Sequence, residues 1–213
     1  MNFQKKTIIC VFCFLSNLIF ALEVPSLQTG DILLKFKTQN MRYFHCSFVL
    51  KINKKIYLLD TSPKTGVSQF TLTEILKSKK GNEKIIFVRH KNFLHPNKEE
   101  LIKTSQEILE YFSKTMEGNP YNNKLLLGSL NEKHKRKYYC SELVATLLNK
   151  FILKEENKVQ THPMMFEHIF FKRMERAGLI FPKGKPGYGP KDFAPSADFL
   201  MIKPSVSRVL AER

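Results

Sequence analysis

The chain contains no tryptophan, so the bulky part of any core is left to its 18 Phe and 7 Tyr. It also lacks an internal repeat, a low-complexity tract and a linker that would separate two domains. A chain of 213 residues with 43% apolar side chains can bury a sizeable core. Folding therefore requires neither a disulfide framework nor a structural metal, and we expect one domain over residues 22–213.

Acidic side chains are scarce, since 19 Asp and Glu stand against 35 Lys and Arg. The resulting charge of +16 indicates either attraction to anionic surfaces, such as cell-wall polymers and phospholipid, or simply a solvated lysine-rich surface. Helix-turn-helix, zinc-ligand and RNA-binding patterns are missing, and we expect no nucleic-acid partner. The sequence does not indicate an oligomeric state.

The first 21 residues have the pattern of a signal peptide. Lys5 and Lys6 precede an apolar run, at residues 8–20, that is short for a membrane span, and Ala21 is a small residue suited to cleavage. We expect an exported protein, periplasmic or secreted, cleaved near Ala21; the alternatives are an uncleaved anchor and a buried helix. Cleavage would lower the net charge to +14, because the segment carries two lysines and no acidic residue.

Only two of the four cysteines, Cys46 and Cys140, lie outside this segment. In an oxidising compartment one interpretation is that they form a disulfide. The alternative is that at least one of them remains free and reactive.

The hydrophobic pattern predicts strands and helices in mixed order, which is typical of an α+β fold. Strands are expected at residues 32–36, 45–52, 56–61, 84–89 and 197–203. Helices are expected after the capping residues Thr71 and Asn97, near Cys140 and at residues 164–176, with a Gly- and Pro-rich loop at 183–195.

Cys140 precedes an apolar helical face formed by residues such as Leu143 and Leu147, which places it at or next to a helix N-terminus. Unpaired N–H groups and the helix dipole favour the thiolate there, and the same N–H groups can bind an oxyanion. The alternative is an inert cysteine that caps a core helix.

His45 opens a predicted strand, and Asp60 lies in the next one amid apolar neighbours. Cysteine catalysis needs a base within reach of the thiol and a carboxylate that orients this base. Asp60 could alternatively begin a turn. If His45 faces Cys140, strand alternation directs Cys46 away and makes a disulfide hard to form, unless a local bulge interrupts the alternation.

The remaining histidines do not suggest a metal site. His162 and His168 are six residues apart, not the four that place two zinc ligands on one helical face. We expect no metal and no cofactor.

Six segments together resemble the YiiX/YebB-like group, the circularly permuted branch of the NlpC-type papain-like superfamily. They span residues 27 to 200 and are Leu27–Leu34, Phe44–Leu50, Tyr57–Pro63 with Gly66-Val67, Gly118–Tyr121, Tyr139–Val144 and Ala194–Phe199. The histidine precedes the cysteine, as in permuted members.

This resemblance implies a small antiparallel sheet or barrel packed against helices. It also implies Cys140 as nucleophile, His45 as base and Asp60 as the third polar residue, with Tyr139 and Ser141 as oxyanion or supporting residues. The group includes cell-wall peptidases, amidases and lipid acyl-hydrolases or acyltransferases.

Three functions stay open at this point. An exported thiol hydrolase that cleaves a peptidoglycan peptide bond is the leading hypothesis, and a lipid acyl-hydrolase or acyltransferase is the second. The third is a non-catalytic module that binds cell surfaces.

Four apolar side chains allow two interpretations: Met165, Phe166, Phe170 and Phe171. They could line an apolar groove, but the preferred interpretation is that they belong to the core.

Overall fold

The computed structural model describes residues 27–38, 42–78, 81–94, 96–166, 169–178 and 180–202. The expected signal segment, His95, His168 and Lys203 lie outside the described residues. Within the described part of the chain, no helix combines the length and apolar character needed to span a membrane.

A six-stranded antiparallel sheet forms the centre of the fold, in the order β4-β3-β2-β1-β5-β8. The strands are β1 (Ile32–Lys37), β2 (Arg42–Ile52), β3 (Lys55–Ser62), β4 (Gly66–Thr71), β5 (Glu83–His90) and β8 (Phe199–Ile202). The sheet stays open at β4 and β8, so of the two expected forms the structure has the sheet and not the barrel. A separate two-stranded ladder pairs β6 (His162–Pro163) with β7 (Pro186–Gly187).

Within the described ranges, four α-helices connect or cover these strands: α1 (Leu72–Lys77), α2 (Lys98–Tyr111), α3 (Cys140–Leu147) and α4 (Ile169–Arg176). The capping box expected before α1 is present, because the Thr71 hydroxyl accepts from the Glu74 N–H and the Glu74 carboxylate accepts from the Thr71 N–H. Asn97 caps α2 by accepting from the Glu99 N–H. The α+β fold with an antiparallel sheet against helices is thus confirmed.

The last helix begins later than the expected residue 164. The Met164 N–H donates to Lys185 and its carbonyl accepts from Gly184, which extends the β6–β7 pairing. Phe166 then adopts a positive φ of 51°, so helical geometry cannot start before it.

Apolar side chains cover both faces of the sheet. The larger cluster joins one face to α2 and α3 and includes Leu34, Phe48, Phe112 and Leu143, all fully buried. A smaller cluster on the opposite face joins residues such as Val49 to the short helix α1. Helix α3, which carries Cys140, is therefore packed directly against the central strand β2.

β4 was missing from the sequence prediction. It reads Gly-Val-Ser-Gln-Phe-Thr, a weak alternation with few β-branched residues. It forms because β3 pairs with its whole length and because Val67 exchanges backbone hydrogen bonds with Gly118 and Asn119. Gly66 has a φ of +66°, and a Cβ there would lie 2.5 Å from the Asn119 carbonyl oxygen.

Candidate active site

Cys140 is the first residue of α3. The preceding Tyr139 has an extended backbone and no side-chain cap, so the amides of the first turn are not satisfied by a capping side chain. The helix continues through a wider turn at Leu148–Ile152. The expected position of the cysteine at a helix N-terminus is confirmed.

The helix begins where two central strands separate. The β2–β3 ladder ends at the pair Phe48 and Leu59, although both strands continue beyond it. The Thr61 hydroxyl, past this point, donates to the Tyr138 carbonyl at 3.3 Å. This bond ties Tyr138, two residues before the helix, to β3, and it brings Cys140 toward the residues that follow the end of the ladder.

His45 and Asp60 meet in this region. The His45 Nε2 lies 2.8 Å from the Asp60 Oδ2, and their side chains are 20% and 6% exposed. The other carboxylate oxygen accepts from the Thr61 N–H, which fixes the plane of the carboxylate. Because Asp60 occupies Nε2, Nδ1 is the ring nitrogen that remains for the sulfur.

Electrostatics couple His45 to Cys140. Burial lowers the pKa of His45, but the charges of Asp60 and the Cys140 thiolate outweigh it and raise the pKa to about 10. A hydrogen bond from the Cys46 thiol and the positive charge of His45 both lower the pKa of Cys140, and burial raises it. The net effect holds the pKa of Cys140 well below its usual value. The site therefore favours a thiolate beside an imidazolium.

Cys46 does not point away from Cys140, contrary to the expectation from strand alternation. A register shift between β1 and β2 pairs Lys35 with His45 but Phe36 with Tyr43, so the alternation is interrupted just before His45. The Cys46 thiol and backbone N–H both interact with the Cys140 sulfur. The two cysteines nevertheless are free, and no disulfide joins them.

Tyr139 and Ser141 attach the helix to the loop at residues 186–189. The Tyr139 hydroxyl accepts from the Tyr188 N–H at 3.0 Å, and the Ser141 hydroxyl donates to the Tyr188 carbonyl at 2.7 Å. A Cβ at Gly187 would lie 2.7 Å from the Met164 Cγ and 3.0 Å from the Tyr139 hydroxyl, so a larger residue there would displace these side chains. Both side chains thus support the start of α3.

Tyr121 is a site residue to which the sequence assigned no role. It forms a bridge with Tyr138, and burial followed by the negative charges of Cys140 and Asp60 raises the pKa of its hydroxyl. The hydroxyl thus stays protonated under the influence of these two negative charges. The signal in the sequence was the segment Gly118–Tyr121, which followed a helix end and stood among the matching segments.

A groove of about 840 Å³ runs past the start of β2, and Cys140, His45 and Asp60 are not among the residues that line it. Its apolar lining includes Phe44, Met165, Phe166 and Phe171, and basic side chains lie at Arg42 and Lys191. Met165 is 57% exposed. Three of the four expected residues line the groove, namely Met165, Phe166 and Phe171. The preferred interpretation as core holds for Phe166, which is buried, and is wrong for Met165; the side chain of Phe170 is not among those described.

The structure defines an α+β protein in which a cysteine at a helix N-terminus lies beside a histidine–aspartate pair. Its fold is similar to that of the metalloprotein YiiX from Escherichia coli O157:H7, with a TM-score of 0.62 and 18% identity over 85% of this chain and 99% of that one. No family model matches the sequence, and neither does any curated protein.

The description of YiiX as a metalloprotein raises the question whether this chain could hold a metal. Among the residues that the structure describes, no three His, Cys, Asp or Glu side chains have the arrangement of a metal site. At the candidate site, one histidine nitrogen is already used by Asp60. The described donor set does not fit a metal ion, and no step is assigned to one.

Proposed function

We propose that the protein is a cysteine hydrolase that cleaves an acyl bond, an amide or an ester, through a thioacyl intermediate on Cys140. The observation that carries this proposal is the His45–Asp60 pair, 2.8 Å apart, next to a sulfur at a helix N-terminus. The YiiX-like fold supports it, because the circularly permuted NlpC-type resemblance implies the same three residues.

In the first step the Cys140 thiolate attacks the carbonyl carbon, and the carbonyl oxygen becomes an oxyanion. Uncapped N–H groups in the first turn of α3 are suitable donors to that oxygen. The His45 imidazolium then gives its proton to the leaving amine or alcohol, the bond to the leaving group breaks, and a thioester remains.

In the second step neutral His45 takes a proton from water, and the resulting hydroxide attacks the thioester. The acid product leaves, and the sulfur departs as thiolate beside a His45 that is again protonated. Asp60 keeps the ring in one orientation throughout and stabilises its positive charge.

Two substrate classes are compatible with this chemistry. Peptide bonds of peptidoglycan agree with the proposed export and with the positive charge of the chain. A lipid acyl group is compatible with the apolar groove at the start of β2, where Phe44, Met165 and Phe171 would contact a hydrocarbon chain.

Trapping the acyl-enzyme tests both the reaction and the substrate. The protein would be quenched in acid after brief exposure to muropeptides, and separately to phospholipid, and its peptides would be weighed. We expect an acyl adduct on the peptide of Cys140 and not on that of Cys46, with none in a Cys140→Ala variant. A peptidyl adduct alone would identify the cell-wall substrate. Binding to either material with no adduct and no turnover would overturn the enzyme proposal in favour of a binding module.

A further inference from the structure

Cys46 is a second thiol that the proposed reaction does not use as a nucleophile. Its side chain is completely buried in the same core cluster as Cys140, which is 8% exposed. Both its thiol and its backbone N–H interact with the Cys140 sulfur. Cys140 begins α3 and Cys46 lies in β2, and these two elements pack directly against each other.

We propose that Cys140 and Cys46 form a reversible disulfide when the protein meets a hydroperoxide, and that this bond switches the site off. The inference rests on the proposed function only in its claim that the disulfide stops hydrolysis, because formation of the disulfide itself requires no substrate. A bond between these sulfurs removes the nucleophile without removing any part of the groove.

Two displacements complete the reaction. The Cys140 thiolate attacks one peroxide oxygen, the O–O bond breaks, and the departing oxygen leaves as water or alcohol with the proton of His45, so Cys140 becomes a sulfenic acid. Cys46 then attacks that sulfur, the S–O bond breaks, and hydroxide leaves as water with the Cys46 proton. The two sulfurs lose two electrons in total and the peroxide gains them; a dithiol reverses the bond.

The two cysteines are unequal in a way that sets this order. Cys140 carries the thiolate and retains some exposure at the mouth of the site, so it meets the oxidant first. Burial raises the pKa of Cys46 and keeps its thiol inert until a sulfenic acid forms next to it. Cys46 therefore acts as the resolving partner.

The test uses the full chain with Cys10 and Cys13 replaced by Ser, so that Cys46 and Cys140 are the only cysteines. After hydrogen peroxide, a digest without reductant is expected to contain the two cysteine peptides cross-linked, and dithiothreitol is expected to separate them. The rate of cleavage of an acyl reporter is expected to fall at least about tenfold, because the disulfide blocks the nucleophile. Dithiothreitol is expected to restore this rate.

A Cys46→Ser variant supplies the comparison. Without a resolving thiol, its Cys140 is expected to proceed to sulfinic acid, and dithiothreitol is expected not to restore the reporter rate. The ratio of rates before and after reductant is the measurement, whatever the basal rate of the variant.

The two proposals fail separately. If peroxide leaves both cysteines open to alkylation after denaturation, or carries Cys140 to sulfinic acid with Cys46 present, the disulfide proposal is overturned. If the disulfide forms and reverses but no acyl reporter or natural substrate is ever cleaved, the modification stands and the hydrolase proposal fails.

Discussion

Replacing Asp60 with Asn tests whether the carboxylate keeps His45 protonated. The substitution retains the size of the side chain and a possible hydrogen bond, but it removes the negative charge 2.8 Å from Nε2. Asp60 taken as a whole residue is only 4% exposed, so solvent screens this charge weakly. The effect is therefore expected on the charge state of the ring and not on the fold of the sheet.

The magnitude follows from the kind of bond that is lost. A hydrogen bond to a charged group contributes ~1.5–3 kcal/mol, which corresponds to a rate loss of about 10- to 100-fold. His45 has a pKa of about 10, and the same energy would bring it down to about 8–9. Activity that depends on the imidazolium is present below this pKa and lost above it, so the alkaline limb should move to lower pH.

Pre-steady-state cleavage of a fluorogenic acyl-aminocoumarin amide measures this directly, because its leaving amine needs the proton of His45. The control is Asp198→Asn, which removes a carboxylate from an exposed pair with Lys91 and should leave the profile unchanged. If the alkaline midpoint of Asp60→Asn coincided with that of the parent protein, Asp60 would not determine the charge of His45, and the assigned triad would be wrong.

Three further substitutions test other parts of the structure. His45→Ala should slow acylation by about 10²- to 10⁴-fold, whereas His90→Gln, which changes a more deeply buried histidine, should retain the rate; equal losses would show a general packing effect. Gly66→Ala combines a positive φ with a Cβ contact of 2.5 Å, whereas Gly184→Ala has only the positive φ. The strained backbone should lower the free energy of unfolding of both variants by ~1–2 kcal/mol, and each kcal/mol lowers the melting temperature by about 2–4 °C. In thermal unfolding, Gly66→Ala should lose measurably more than Gly184→Ala. Met165→Glu should raise KM for a long-chain acyl reporter more than for a short one, and an equal change would count against the groove as the chain site.

Local signals were sufficient for much of the fold. The apolar runs in β1, β2, β3 and β5 predicted four strands, because a strand whose two faces are both covered buries consecutive side chains. The cap at Thr71 was equally local, since its partner Glu74 is only three residues away. β4 was not predictable, because its stability comes from pairing with β3 and with Asn119.

The candidate site divides in the same way. The sequence by itself determined that Cys140 begins a helix, since the apolar face that follows it requires a helix there. The closeness of His45 to Asp60 followed from a short hairpin between neighbouring strands. The position of Cys46 was decided only by the tertiary structure, because one register shift against β1 interrupts the alternation that the sequence implies. The groove likewise required residues from β2 and from the β6–β7 region, far apart in the chain, and their packing depends on long-range contacts that local periodicity does not encode.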